Sequence, residues 1–206
     1  MKTQTAPTKR AYQMSARAEA KQATRERILA VFGEALRTRW YDELTFAELA
    51  REAGVSAPTL TNHFGDKAGL LVAFAHENMH EEISEVRAAA VPGDVPGAIA
   101  LLLEDYERTG DIVVRMLALE HRLPELVDIL NRGRHGHRQW VTRTFEPFLP
   151  AASKARKAAI TRLVLATDVY LWQLLRRDMK LSRAATNDHL LAMALAVVAS
   201  LKENDA

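Results

Sequence analysis

The sequence predicts an all-α protein: a small N-terminal three-helix head followed by a larger helical body, about nine helices in all. Three observations carry this. Apolar residues recur at helical spacing nearly throughout, no stretch alternates apolar and polar as a half-buried strand would, and glycine or proline punctuates the chain at intervals of one helix. With 206 residues, 48% apolar and 26% charged, there is material for a sizeable core. At roughly 150 residues per domain, one large unit or a small one joined to a larger one is expected.

Along the chain, the first ~14 residues, with Pro7 and little apolar content, read as disordered. A helix follows from Ser15 or Thr24 to Thr38, with Ile28, Leu29, Phe32 and Leu36 as its apolar stripe. Thr45 and Glu48 form a capping box opening the next helix, which Gly54 ends. Ser56 caps a second short helix, with Pro58 in its first turn, and Gly65 closes it. Asp66 caps a longer helix from Lys67 to about Ala90, which stops at the breaker "VPGDVPG" (91–97). Asp94 caps a helix to Thr109; Gly110 is expected to stop it and Asp111 to open another through Glu120. Pro124 starts a further helix, interrupted by Gly133 and Gly136 and ending near "PFLP" (147–150). Two apolar helices, 152–180 and 182–202, close the chain.

The charge is uneven. The net is +2, but residues 1–27 carry Lys2, Lys9, Arg10, Arg17, Lys21, Arg25 and Arg27 against Glu19 and Glu26. Such an arm suits a polyanion, DNA or an acidic membrane surface, or is simply a solvated tail. The chain has no cysteine, which removes disulfide scaffolds and fits a reducing compartment. The N-terminus lacks the apolar core of a signal peptide. The longest apolar run, "LLAMALAVVASL" (190–201), falls short of the about 20 residues a bilayer requires. The expectation is a soluble, cytoplasmic protein.

Two short helices joined by Gly54-Val55-Ser56 have helix-turn-helix spacing, in which the second enters a major groove while the first braces it. "ATRERILAVFGEAL" followed by "TFAELAREAGVSAPTLTNHFGDKAGLL" closely resembles the N-terminal module of the TetR family of bacterial transcriptional regulators, over residues 24–80. "ATDVYLWQLLRRDMKLSRAAT" (166–186) is similar to the C-terminal region of one subgroup. The resemblance implies a homodimer. In it, residues 1–22 are a basic arm, 23–67 the DNA-binding head, and 68–206 the effector-binding and dimerisation body. It also implies a ligand-released repressor acting on an inverted-repeat operator. The recognition helix is then Ala57 to His63. Ala57, Thr59, Asn62 and His63 face bases or nearby phosphates, Pro58 can touch a thymine methyl, and Thr45 holds a phosphate. Lys67 is a cation in a first turn, where the helix dipole opposes it; it either meets a phosphate or is solvated and offset by Asp66. Thr61 stands where the family usually carries a tyrosine, so that contact has a shorter reach.

Between Thr45 and Lys67 the charges sum to −1, and the recognition helix has no Arg or Lys. Most non-specific affinity must then come from the arm, expected to enter a minor groove beside the half-site. The same shortage keeps open a helical ligand-binding or adaptor protein without DNA.

The last two helices are apolar around most of their circumference, so burial against a second copy is expected, with Leu163, Thr167, Tyr170, Leu174, Leu190, Met193 and Val197 at the interface. Tyr106, Met116, His121, Trp140 and Trp172 could line an apolar effector pocket, or be plain core. Finally, "HENMH" (76–80) fits the H-E-x-x-H pattern of zinc peptidases, with Glu77 as general base. No strand is predicted to hold a peptide substrate, so the segment reads as the polar face of a connector helix. No enzyme activity, metal or cofactor is expected.

Overall fold

In a computed structural model, residues 9–79 and 86–203 are described, and they are helical with no strand among them. Nine α-helices are present there: α1 Lys9–Thr38, α2 Phe46–Glu52, α3 Ala57–Phe64, α4 Lys67–Phe74, α5 Val95–Leu117, α6 Val127–Thr144, α7 Ser153–Ala166, α8 Val169–Gln173 and α9 Arg183–Glu203. Two of them run on into π-helical turns, α4 through Ala75–Met79 and α8 through Leu174–Asp178.

Two cores organise these helices. The first gathers Ile28, Leu29, Phe32 and Leu36 of α1, Leu49 of α2, Leu60 and Phe64 of α3 and Leu70, Leu71 and Phe74 of α4. Ile112, Met116, Leu126 and Leu130 close it from the body side, so the head is seated on the lower ends of α5 and α6. The second core lies wholly in the body, around Ile99, Leu102, Tyr106, Trp140, Phe145, Leu163, Trp172, Leu190 and Ala194.

Several boundaries differ from expectation, each for a physical reason. α1 begins at Lys9, so residues 9–14 are helical where disorder was expected; residues 1–8 lie outside the described set. Gly110 stops nothing: α5 runs through it to Leu117. A side chain there would collide with the Trp172 ring, whose Cη2 lies 2.6 Å from where a Cβ would be. Asp111 opens no helix and instead accepts from Arg177 Nη2 at 2.8 Å. α6 continues through Gly133 and Gly136, both exposed with open space where a Cβ would stand.

The segment read as one helix over 152–180 is broken at Thr167–Asp168, where Asp168 caps α8 by accepting from Tyr170 N at 3.0 Å. By length and composition, Ser153–Asp178 and Arg183–Lys202 are each long and apolar enough to cross a membrane, which the 190–201 run alone did not indicate.

Candidate nucleic-acid interface

The head is built by reciprocal caps. Thr45 Oγ1 accepts from Glu48 N at 3.2 Å, while Glu48 Oε2 accepts from Thr45 N at 3.2 Å and from the Thr45 hydroxyl at 2.7 Å. Those bonds hold the Glu48 carboxyl below its ordinary range, an anion where the dipole of α2 favours one. Gly54, at φ 64°, turns the chain in the left-handed region that glycine adopts without penalty. Ser56 Oγ then accepts from Thr59 N at 3.2 Å, and its hydroxyl shares a 2.8 Å bond with Thr59 Oγ1.

α3 sits on this base with Leu60 fully buried and Phe64 nearly so. Its outward face is Ala57, Pro58, Thr61 and Asn62, all exposed and adjacent at helical spacing. Thr59 is half-buried and tied to the cap. His63 is half-buried beside α1; burial, then the charges of Lys21 and Arg25, hold its imidazole below the usual value. The expected base-facing set is therefore brought together only in part.

Two phosphate-holding candidates have other bonds. The Thr45 hydroxyl directs its proton to Glu48. Lys67 Nζ donates to the carbonyls of Tyr41 at 2.9 Å and Leu44 at 2.8 Å and lies 4.2 Å from the Tyr41 ring centre. It thus closes the turn before α2 against the start of α4, with one hydrogen left over; burial lowers its pKa. This accounts for a cation in a first turn without a phosphate.

The arm also differs. Arg25 and Arg27 are not loose charges. Arg27 Nε donates to Ala53 O at 2.9 Å, at the end of α2. Arg25 forks onto Glu77, with Nε 3.0 Å from Oε2, and its Nη1 donates to His63 O at 3.3 Å. Glu77, the would-be general base of "HENMH", is therefore the partner of an arginine. His76 Nε2 lies 3.3 Å from Arg132 Nη2, and His80 lies outside the described residues. Among the described residues no group of three or more His, Cys, Asp or Glu could hold a metal ion.

The effector candidates do not converge. Tyr106, Trp140 and Trp172 share the second core, with Tyr106 and Trp172 ring centres 6.0 Å apart. Met116 belongs to the first core, and His121 is exposed in the turn after α5. Each of the three core rings has its polar atom bonded: Tyr106 Oη to Thr167 O (2.8 Å), Trp140 Nε1 to Arg87 O (3.2 Å), Trp172 Nε1 to Glu107 Oε1 (3.0 Å). The sequence reading missed a buried polar chain beside them. Arg87 Nε donates to Asp105 Oδ2 at 2.7 Å and its Nη1 to His137 Nδ1 at 2.9 Å; His137 Nε2 lies 3.1 Å from Thr167 Oγ1. Asp105 could have been noticed, because it falls on the inward stripe of α5 with Leu102, Tyr106 and Thr109.

Of the expected interface residues, Leu163, Thr167 and Leu190 are fully buried within the chain itself, out of a partner's reach. The pattern of a helix apolar all round does not say which side packs within its own chain, and these three lie on that side. Tyr170, Leu174 and Met193 are exposed, and Val197 is half-buried. Leu165 at 65% and Leu195 at 44% are exposed large apolar residues on the same helices.

Residues 34–74 match the model of the bacterial regulatory proteins of the tetR family. No protein of curated function matches the chain. Among solved structures, a chain assigned to the TetR family from Mesorhizobium loti is similar at 16% identity and a TM-score of 0.65, over 87% of this chain and 97% of that one. A transcriptional regulator from Rhodococcus sp. Rha1 is similar at 13% identity and a TM-score of 0.68, over 85% and 96%. A regulator of the TetR/AcrR kind from Aquifex aeolicus shares 18% identity at a TM-score of 0.60, over 82% and 96%. At these identities the structures establish the fold.

Proposed function

From a chain whose head makes it a member of the tetR family of bacterial regulatory proteins, we propose a homodimeric regulator that binds an inverted-repeat operator and releases it when a small lipophilic effector enters the body. The observation that carries the DNA reading is the outward face of α3. Ala57, Pro58, Thr61 and Asn62 stand exposed in one row, on a helix fixed by the Ser56 cap and by burial of Leu60 and Phe64. A short helix presented in this way fits a major groove. Asn62 is its one side chain able to make a bidentate contact with adenine, and Pro58 or Ala57 offers an apolar surface to a thymine methyl. Thr59 and His63, half-buried beside this row, then face nearby phosphates, while Thr45 and Lys67, engaged by Glu48 and by the Tyr41 and Leu44 carbonyls, brace the head.

Dimerisation supplies the second head. Tyr170 and Leu174, one turn apart on α8 and its continuation, and Met193 with the half-buried Val197 one turn on in α9, are apolar residues that a four-helix interface with a second copy would cover. The apolar length of these helices is assigned to that contact rather than to a bilayer. Repression, with the protein at work in the cytoplasm on the nucleoid, follows family analogy. The effector would act next to Tyr106, Trp140 and Trp172, where Arg87 joins the connector after α4 to the body.

Selection of duplexes from a random pool by the purified protein at low ionic strength tests the reading. Enrichment of an inverted repeat is expected. A pool left unenriched, with the protein folded and dimeric, would favour the second reading, a helical ligand-binding protein without DNA, to which the lack of Arg and Lys on α3 points.

A further inference from the structure

α1 is longer than the core it serves. Its buried residues begin at Ile28, whereas residues 15–23 are all exposed and the helix starts at Lys9. At 1.5 Å per residue, the part from 15 to 23 is a rod of about 13 Å standing clear of the head. Bonds at i,i+4 spacing brace it, Ser15 Oγ to Glu19 Oε1 at 2.5 Å and Gln22 Nε2 to Glu26 Oε1 at 2.9 Å.

The charges of this rod are sorted by face. With 3.6 residues per turn, Arg17, Lys21 and Arg25 fall within about 80° of one another. Glu19 and Glu26 fall on the opposite side. Arg25 shows which way the cationic face looks. Its Nη1 bonds the carbonyl of His63, the last expected reading residue of α3, and its guanidinium lies 4.6 Å from the Phe64 ring centre. The positive side of α1 therefore leaves the head alongside the C-terminal end of α3, next to the exposed Asn62.

We propose that the free part of α1 is a helical outrigger that lies along DNA phosphates beside the half-site, with Arg17 and Lys21 as its contacts. This rests on the DNA-binding reading and adds to it a second contact surface, of a different kind from the first. It replaces the minor-groove arm expected from charge alone. A helix is 10–12 Å across with its side chains, and the minor groove is about 6 Å wide, so residues 9–23 cannot enter it as they are folded. The outrigger also supplies the cations that α3 lacks. From Arg25 to Arg17 it spans about 12 Å, the length of some three to four base pairs.

The test uses the full chain and an operator from the selection above, comparing three proteins. One is the wild type. The second is R17Q/K21Q. The third is R17A/A18R/K21Q/Q22K, which keeps the net charge and the number of cations but turns both about 100° around the helix. Far-UV circular dichroism checks that α1 persists. Both variants are expected to lower the slope of log K against log salt by about 0.9 per lost contact, near 3.6 for a dimer, and to shorten the hydroxyl-radical footprint at the same flank. A turned variant with wild-type slope and footprint would mean a diffuse charge effect and overturn the proposal. So would variants that bind the operator normally but lose attachment to phosphatidylglycerol vesicles, which would assign the helix to a membrane. If the wild type binds no duplex at all, the DNA reading itself fails, a result distinguishable from either.

Discussion

Arg87 donates from Nε to Asp105 Oδ2 at 2.7 Å inside the body, where Asp105 is fully buried and Arg87 nearly so. Thr109 Oγ1 donates to the other carboxylate oxygen at 3.1 Å, and His137 takes the Arg87 Nη1 hydrogen. Removing one partner leaves a guanidinium uncompensated in a medium that solvates it poorly. Asp105→Ala is therefore expected to cost about 3–5 kcal/mol in urea unfolding at fixed protein concentration. An apolar pair, R87M/D105L, should recover most of that loss. If D105A unfolds like the wild type, the pair is not holding the connector to the body.

His137 carries a pH dependence. Burial and the neighbouring Arg87 charge push its imidazole down to about 3, from an ordinary 6.5. The ring is thus neutral when folded, accepting at Nδ1 from Arg87 and donating at Nε2 to Thr167. Between about pH 6.5 and pH 3 the unfolded chain binds a proton that the folded chain refuses, so this contribution is full above 6.5 and is lost as pH falls. Unfolding of wild type and His137→Gln, compared at pH 7.5 and pH 5, should show the smaller acid loss in the variant. Equal losses would remove His137 from the account.

The glycines of the body are expected to answer oppositely to the same change. Gly110→Ala drives a methyl into the Trp172 ring and should lose about 1–3 kcal/mol, lowering Tm. Gly133→Ala and Gly136→Ala, mid-helix and in open space, should each gain about 0.5–1 kcal/mol. A gain at 110 would contradict the packing described.

On the last helices, exposure separates association from folding. Leu174→Asp places a charge on the outer surface and should yield a folded monomer by light scattering. Leu163→Ala should keep association at low temperature but lose about 2–5 kcal/mol of stability. A dimeric L174D protein would move the interface elsewhere.

At the reading face, Asn62→Ala should weaken the selected operator by about 1–3 kcal/mol while leaving non-specific binding and its salt dependence unchanged. Uniform weakening on all sequences would make Asn62 a phosphate contact instead.

The head was legible because its signals are local. Thr45 and Glu48 are three residues apart, as are Ser56 and Thr59, and a cap states its own geometry. What was not legible depends on contacts distant in sequence. Gly110 reads as a helix stop until Trp172, 62 positions later, occupies the space its side chain would need. Lys67 reads as a phosphate ligand until the Tyr41 and Leu44 carbonyls are brought to it. Leu163 and Leu174 lie on neighbouring apolar segments, and only the packed body shows that one looks in and the other out. Residues 9–14 looked unstructured for want of apolar content, although a polar helix held at one end by α1's core needs none.

Arg25 is a single side chain in contact with three parts of the head: the rod it grows from, the carbonyl at the tail of α3, and Glu77 where α4 leaves for the body. A displacement of Glu77 would therefore reach the tail of α3 through one side chain. A change that released this one guanidinium would free α1 from the tail of α3 and from Glu77 in the same step.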